Sequence, residues 1–590
     1  MSERVGLQYK FGPFLLDPSE PPLLRGGERV HLPVKAFETL VLLVENSGRL
    51  LDKDQLFEQL WPDTNVEKGN LDVNISALRK ALGGSGGGGQ YIETVPRRGY
   101  RFTGEVRRVQ AGAANGHTDA INSLAVLPLV NDTNDPSAEY LSDGITESII
   151  NTLSQLPQLR VMARSTAFRY KGSNIPPREA GREMDVRAVL SGRVLQVGDR
   201  LVIRAELVDV AGGWQLWGAQ YDRCPSDILA VQSEIAKEIS ECLRLKLSGE
   251  QKERLVKHHT ESTEAYRTYL KGRYYWNKRT LEGLKRGSEF FGQAIAIDER
   301  YALAYAGVAD SYLLLGSLEY GTLHPTAAME KAKQSARLAL EIDPALAEAH
   351  ASLAYVRVFD WDWEEAESEY RRAIELNQSY ATAHHWYALF LTAMKRPEEA
   401  LAEIKRAQEL DPLSLPINVG VGFYYHLTRQ YGRAIEEYRR AIEMDPGFGM
   451  AHFGLAMTYV QNFMCDEAIA EYRAAMEISG ASSLMRAGIG HAYAMSGRKD
   501  KARKILKELC EPLVEGAAPD KPAAEQPYVS AYGLAAICAA LDDKDAAFRW
   551  LRRACDTRSE GLFWLQVDPA LDSLRADRRF ADILRCVRLL

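Results

Sequence analysis

Residues 434–446 read AIEEYRRAIEMDP, and the same spacing returns as ALAEIKRAQELDP at 400–412 and AESEYRRAIELNQ at 366–378. Ala339, Ala373, Ala407, Ala441 and Ala475 stand 34 residues apart. So do Ala366, Ala400, Ala434, Ala468 and Ala502, and so do Ala354, Ala388, Gly422, Ala456 and Gly490. Three small-residue positions sharing one period describe helical hairpins that stack closely, with Tyr370, Tyr438 and Tyr472 filling the wider gaps between them. Asp343-Pro344, Asp411-Pro412 and Asp445-Pro446 close the second helix of their units, because proline cannot continue a helix and biases the residue before it away from one.

These residues resemble the tetratricopeptide repeat family, with a small residue early in the first helix, alanines in the second and a closing proline. Weaker units precede the regular ones, around Gly272, Phe291 and Ala294 and again from Ala302, with an insertion near Glu319 to Pro325. A degenerate unit runs from Pro527 to Cys555. Together they predict about eight units over 262–559, closed by a cap at 560–590. The resemblance implies an α-solenoid whose first helices line a groove for a protein or peptide, with Tyr355, His385, Leu389, Phe423, His426, Phe453 and Met457 as the expected contacts.

At the other end of the chain, residues 7–106 alternate as strands at Tyr9, Phe11, Phe14 and Leu16. Three helices follow at Pro33 to Asn46, Lys53 to Trp61 and Glu67 to Leu82, and then two strands at Tyr91 to Thr94 and Tyr100 to Phe102 around a Val95 to Gly99 turn. Sheet, three helices and hairpin is a winged-helix order. The segment resembles the OmpR/PhoB-type DNA-binding domain through Phe11-Gly12, Trp61-Pro62-Asp63, Asp72-Val73-Asn74-Ile75, Leu78-Arg79-Lys80-Ala81-Leu82, Thr94-Val95 and Gly99-Tyr100-Arg101-Phe102. The resemblance implies that the third helix enters the major groove and that the wing reaches toward the minor groove.

Helix geometry points the same way. Leu71, Ile75, Leu78 and Leu82 form one inward stripe, leaving Asn70, Val73, Asn74, Ser76, Ala77 and Lys80 outward. Asn70 and Asn74 suit base edges, Val73 and Ala77 thymine methyls, and Lys80 a phosphate. Arg79, at the stripe's margin, serves either a phosphate or a local ion pair. Thr94, Arg97, Arg98 and Arg101 complete the expected DNA-binding set, and basic residues outnumber acidic ones from Lys68 to Arg108. The family's frequent arginines are replaced here by Ser76 and Ala77, so no base preference carries over. No phosphoacceptor domain is expected before this segment, and control is expected to arrive another way.

A Gly- and Ala-rich stretch within 107–121 reads as a linker. Residues 122–247 then alternate strands and helices as a small α/β domain: a buried strand at Leu124 to Leu129, a helix at Glu139 to Leu156, a strand at Leu159 to Ala163, and two strands around the Val197-Gly198-Asp199-Arg200 turn. A charged helix from Asp227 to about Lys257 is expected to run into the repeats. This domain resembles the TolB-like N-terminal module through Ala125-Val126-Leu127-Pro128, Asp143-Gly144-Ile145-Thr146-Glu147, Leu190-Ser191-Gly192-Arg193-Val194 and Trp217-Gly218-Ala219-Gln220-Tyr221-Asp222-Arg223. The resemblance implies an interaction or sensory module. Asp143 and Glu147, one turn apart, read as a solvated helix N-terminus favoured by the helix dipole rather than a metal pair. Trp214 and Trp217 read as packing aromatics.

The 590 residues exceed what one core serves, and the fold class is multidomain and mainly α: winged helix (α+β), small α/β domain, α-solenoid. A net charge of -7 rules out a molecule that coats nucleic acid or anionic membrane over its whole surface. Seven scattered cysteines without C-x-x-C spacing exclude a disulfide framework and a zinc site. No stretch is long and apolar enough to span a membrane, and a cytoplasmic location is expected. Gly84 to Gly89 satisfies a G-x-G-x-x-G search but follows a helix, precedes a strand and lacks a neighbouring lysine, so it is not a phosphate loop. His350, His384 and His452 share one repeat position and read as packing residues. Neither catalysis nor a cofactor or metal is expected. The sequence therefore reads as a transcription regulator that docks on double-stranded promoter DNA as a tandem or symmetric homodimer and binds a protein or peptide through its repeats. The competing readings are a cytosolic scaffold with a non-reading winged helix, and a small-molecule sensor built on the middle domain.

Overall fold

A computed structural model describes residues 7–16, 23–25, 28–30, 32–60, 69–82, 91–96, 98–110, 121–133, 135–243, 245, 247–256, 259–317, 324–480, 482–515 and 529–590. The Gly83 to Gly89 loop, Trp61-Pro62-Asp63, Arg97 and the Glu319 to Leu323 part of the insertion lie outside the described residues. The chain divides into two compact units, Met1–Asp119 and Ala120–Leu590.

In the first unit, strands β1 (Leu7–Phe11), β2 (Phe14–Leu16), β3 (Leu23–Arg25) and β4 (Glu28–Val30) precede helices α1 (Val34–Glu45), α2 (Lys53–Leu60) and α3 (Gly69–Leu82). Strand β5 (Leu50–Asp52) lies between α1 and α2, and β6 (Ile92–Val95), β7 (Gly99–Phe102) and β8 (Arg107–Gln110) follow α3. Two antiparallel sheets result, ordered β4-β3-β2-β1-β8 and β5-β7-β6. Strand β8, expected as linker, pairs with β1 from Leu7↔Gln110 to Lys10↔Arg107 and so carries the sheet through Gln110. The alternating residues Tyr9, Phe11, Phe14 and Leu16 are all buried, against α1 and the α3 stripe. A Cβ on Gly99 would stand 1.9 Å from the carbonyl oxygen of Leu51, so only glycine lets β7 run this close to β5.

The second unit opens with a mixed sheet, order β11-β9-β12-β13-β14, in which β9 is Ser123–Val126, β11 Arg160–Val161, β12 Ala188–Val197, β13 Arg200–Asp209 and β14 Gln215–Arg223; β10 (Val130–Asn131) pairs with β12. The β12–β13 turn has Gly198 at φ +57°, as its Gly-Asp pair predicts. Period-two alternation splits β9 between two cores. Leu124 and Val126 join α4 (Glu139–Ser154) and α7 (Ile228–Cys242), whereas Ala125 faces α6 (Pro177–Glu183). The short α5 (Arg164–Ala167) follows β11. The expected single helix through Lys257 is two, α7 and α8 (Gly249–Val256), and α7 packs back on the sheet.

Among the described residues eight helical hairpins follow: α9 (Thr263–Trp276) with α10 (Leu281–Ile297), α11 (Ala302–Leu315) with α12 (Pro325–Ile342), α13 (Ala347–Phe359) with α14 (Trp363–Leu376), and α15 (Ala381–Ala393) with α16 (Pro397–Leu410). Then come α17 (Leu415–Leu427) with α18 (Tyr431–Met444), α19 (Gly449–Gln461) with α20 (Cys465–Ser479), α21 (Ser483–Met495) with α22 (Lys499–Glu515), and α23 (Ala531–Ala540) with α24 (Lys544–Asp556). Every residue of the three small-residue series is buried, as are Tyr370, Tyr438 and Tyr472. A Cβ on Gly454 would lie 2.3 Å from the Tyr438 ring, which shows why a small residue is needed there. The turn inside successive hairpins passes through one left-handed residue, at Trp361, Lys395, Arg429, Phe463 and Gly497. The core of the α/β domain continues without a break into Tyr266, Tyr269, Phe291 and Tyr301 of the first repeats.

Candidate nucleic-acid interface and repeat chamber

Helix α3 buries Leu71, Ile75, Leu78 and Leu82 and leaves Val73, Ser76 and Lys80 exposed, with Val73 at 65%. Asn74 and Ala77 are half-buried, and Ala77 packs partly on its own core. The side chain of Asn70 lies outside the described residues. Arg79 donates to the Ile92 carbonyl at 3.0 Å and to Thr94 Oγ1 at 2.6 Å, so Arg79 and Thr94 clamp α3 to β6 through neutral acceptors rather than through the expected ion pair. Arg101 pairs with Glu93, its cross-strand neighbour, at 3.5 Å. Arg98 is exposed between β6 and β7.

A second fixture holds α3 from its start. Asp72 accepts from Lys53 Nζ of α2 at 2.9 Å and from the Tyr100 hydroxyl of β7, while the Lys53 ammonium lies 5.5 Å from the Tyr100 ring centroid. The Tyr100 hydrogen bond, then Lys53, holds the Asp72 carboxyl below its usual range; Asp72 in turn holds the Lys53 ammonium above its own. Sequence reasoning missed Lys53 and Tyr100 because nothing local connects them to Asp72.

In the second unit the expected partner contacts converge. Tyr355, His385, Leu389, Phe423, His426, Phe453 and Met457 all line one chamber of about 1080 Å³, whose inner wall is made by first helices of the hairpins. The chain's own segments wall both rims of this groove. On one rim, Ser165 and Thr166 of α5 donate to Asp411, Ala163 N–H donates to the Leu410 carbonyl at 3.1 Å, and Asn377 donates to Ser154 Oγ at 3.0 Å. On the other, the segment after α24 returns: Phe563 stacks on Trp363, Trp564 packs edge-on against Phe423 at 4.7 Å, and Arg429 grips Asp572 at 2.8 Å. The predicted cap thus reaches the third and fifth hairpins as well as the eighth.

Asp143 and Glu147 are a second correction, for both are buried rather than solvated. Lys171 binds Asp143 at 2.6 Å; Glu147 meets Arg164 at 3.0 Å and Arg273 at 2.5 Å and accepts from Asn277 at 2.8 Å. Burial pushes the Asp143 carboxyl up against Lys171; for Glu147 burial is outweighed by Arg273 and Arg164, which hold it below its ordinary value. Trp217 packs on the sheet core and donates to Glu238 at 3.0 Å, but Trp214 is half-exposed. His350, His384 and His452 make a recurring clamp, each bridging the second-helix glutamate Glu369, Glu403 or Glu471 to a loop carbonyl six residues earlier. Burial pushes His385 and His426 down to about 4 and about 3.

Residues 27–102 match the family described as transcriptional regulatory protein, C terminal. Residues 352–414 and 428–483 match the tetratricopeptide repeat. The chain is similar to transcription regulators. It is 26% identical over 341 residues to transcriptional regulator HilA of Salmonella typhi, covering 57% of this chain and 58% of that one. With the transcriptional activator CadC of Escherichia coli it is 32% identical over 94 residues, 16% of this chain and 18% of that one. A Rhizobium meliloti protein named putative adenylate cyclase 3 is 34% identical over 238 residues, 40% of this chain and 33% of that protein. The chain thus spans 58% of the length of HilA, 33% of the Rhizobium meliloti protein and 18% of CadC, less than two thirds of each. The solved DNA-binding domain of Escherichia coli CadC aligns over 17% of this chain and 94% of its own, at 31% identity and a TM-score of 0.16. Among the described residues no helix is long and apolar enough to cross a membrane.

Proposed function

We propose that the chain is a cytoplasmic transcription regulator whose α3 reads promoter DNA, bound as a tandem or symmetric dimer, and whose repeats bind a regulatory protein or peptide. The observation that carries the DNA half is α3 itself. Its apolar stripe is buried, its outward face is open, and Arg79 and Asp72 fix the helix to the wing and to α2. A helix held this way presents Asn74 to a base edge, Val73 and Ala77 to thymine methyls, Ser76 to either, and Lys80 to a phosphate. Asn70 extends that row, Arg97 and Arg98 take phosphates at the wing, and Thr94, Arg79 and Arg101 position the elements that touch DNA. The matched family model and the similarity to named regulators support this reading.

The proposal includes no catalytic step. Tyr355, His385, Leu389, Phe423, His426, Phe453 and Met457, which line the chamber together, are the contacts we propose for the repeat partner. The middle domain we read as TolB-like, supported by the quoted segments falling on β9, α4, β12 and β14. The test is selection of bound fragments from the genome by the full chain and by a variant carrying Asn74→Ala, Lys80→Ala and Arg98→Ala. A shared motif that the variant loses is the expected result. Equal, featureless binding by both would overturn the DNA half and favour the scaffold.

A further inference from the structure

First helices of all eight hairpins contribute to the chamber, from Arg273 of α9 to Tyr532 of α23. A cavity of about 1080 Å³ drawn out along so many helices is long for its width and suits an extended occupant better than a compact one.

The charges on its wall are already answered. Glu147 holds Arg164 and Arg273, Arg279 lies 3.8 Å from the Trp276 ring centroid, and Arg169 and Lys278 are exposed to water. Asp310 accepts from Ser352, Asp411 from Ser165 and Thr166, Asp445 from the Gly447 N–H, and Asp568 from Tyr532. Burial pushes the carboxyls of Asp310, Glu348, Asp411 and Asp568 up, toward their neutral forms. A charged group brought in here would lose its water without gaining a counter-ion of its own.

The unmet groups are neutral. His385 of α15 and His491 of α21 line the chamber, are only 8% and 7% exposed, and have no hydrogen-bond partner among the described residues. Burial pushes both imidazoles down to about 4, so at pH 7 each is uncharged, with one N–H to donate and one nitrogen to accept. A peptide group carries the complementary pair, a carbonyl and an N–H. The two rings stand three hairpins apart, about 24–30 Å at roughly 8–10 Å between packed helices. An extended chain at ~3.3 Å per residue covers that distance in about seven to nine residues. Between the rings the wall is apolar, with Leu389 on α15, Phe423 on α17, and Phe453 and Met457 on α19.

We infer that the repeat partner enters the chamber as one extended peptide segment free of charged side chains, its backbone amides at His385 and His491 and its apolar side chains along α15, α17 and α19. This rests on the reading that the repeats bind a protein or peptide, and names the chemistry of that partner.

The test is affinity selection by the full chain from a randomised pool of nonapeptides with acetylated and amidated ends, the retained sequences being read by mass spectrometry. These are expected to be depleted at least tenfold in Asp, Glu, Lys and Arg, and a synthesised one should saturate at one per chain. His385→Phe with His491→Phe keeps aromatic rings in place and removes their hydrogen bonds. It should weaken that peptide about tenfold while the melting temperature holds. Leu389→Trp and, separately, Met457→Trp fill the apolar wall and should each weaken it as much. Retained peptides rich in charge, or binding indifferent to the histidine pair, would overturn the inference and leave the repeats a peptide site of other chemistry. Binding indifferent to both tryptophan variants, or no peptide retained, would overturn the reading of the chamber itself and the inference with it.

Discussion

Arg79 and Lys80 are adjacent on α3 and do different work. Arg79→Ala removes two hydrogen bonds to β6 and should destabilise the first unit by about 1–2 kcal/mol in denaturant unfolding. Lys80→Ala, on an exposed side chain, should leave stability within about 0.5 kcal/mol but weaken DNA binding across sequences and lower its salt slope by about 1. The opposite pattern would mean that the helix is held elsewhere. Glu147 offers a pH test. Its carboxyl titrates lower in the fold than in the unfolded chain, so the ionised group stabilises the fold above about pH 4.3, and that contribution is lost as pH falls through the lower folded value. Glu147→Gln, which leaves two buried guanidiniums without their carboxylate, should cost about 3 kcal/mol at pH 7. The gap from the parent protein should narrow in unfolding curves taken below about pH 4. The leucine stripe of α3 was legible because it is periodic. The burial of Asp143 and Glu147 was not: the partners Arg273, on α9, and Asn277, at its C-cap, lie 126 and 130 residues beyond Glu147, and no local pattern announces them.

Among the elements, the repeated hairpin turn is the sharpest device. Its left-handed residue recurs with the alanines, yet only Gly497 has the residue type that conformation favours, so the sequence hid the position. Lys395→Gly should relieve about 1–2 kcal/mol of left-handed strain against about 0.5–1 kcal/mol of chain entropy, raising the melting temperature. Gly497→Ala, whose Cβ meets nothing within 4 Å, should lower it, and an unchanged melt in both would show the turns to be unstrained. The solenoid was legible because three series of small residues share one period. Strands β3, β4, β5 and β8 were not, since three or four residues carry too little alternation to stand out.

At the scale of the whole molecule, the segment after α24 belongs to two cores. Leu562, Leu565, Leu571 and Phe580 complete the last hairpin, while Phe563, Trp564 and Asp572 reach back to hairpins three and five. A chain ended after Asp556 should therefore lose thermal stability and become quickly cleaved by trypsin at Arg429, whose guanidinium the segment covers. Equal resistance in both chains would show the rim contacts to be incidental. Such long-range closure was not legible in the sequence: the period identifies neighbours along the solenoid, not contacts between its distant turns. The Val587 carbonyl, which Trp363 reaches at 3.0 Å, lies 224 residues further along the chain. At roughly 5–20 residues per second of synthesis, a ribosome needs on the order of 10–45 s to deliver it. For that interval the nascent chain carries an indole with no seat, and a chaperone that recognises aromatic surface has a defined window in which to find it.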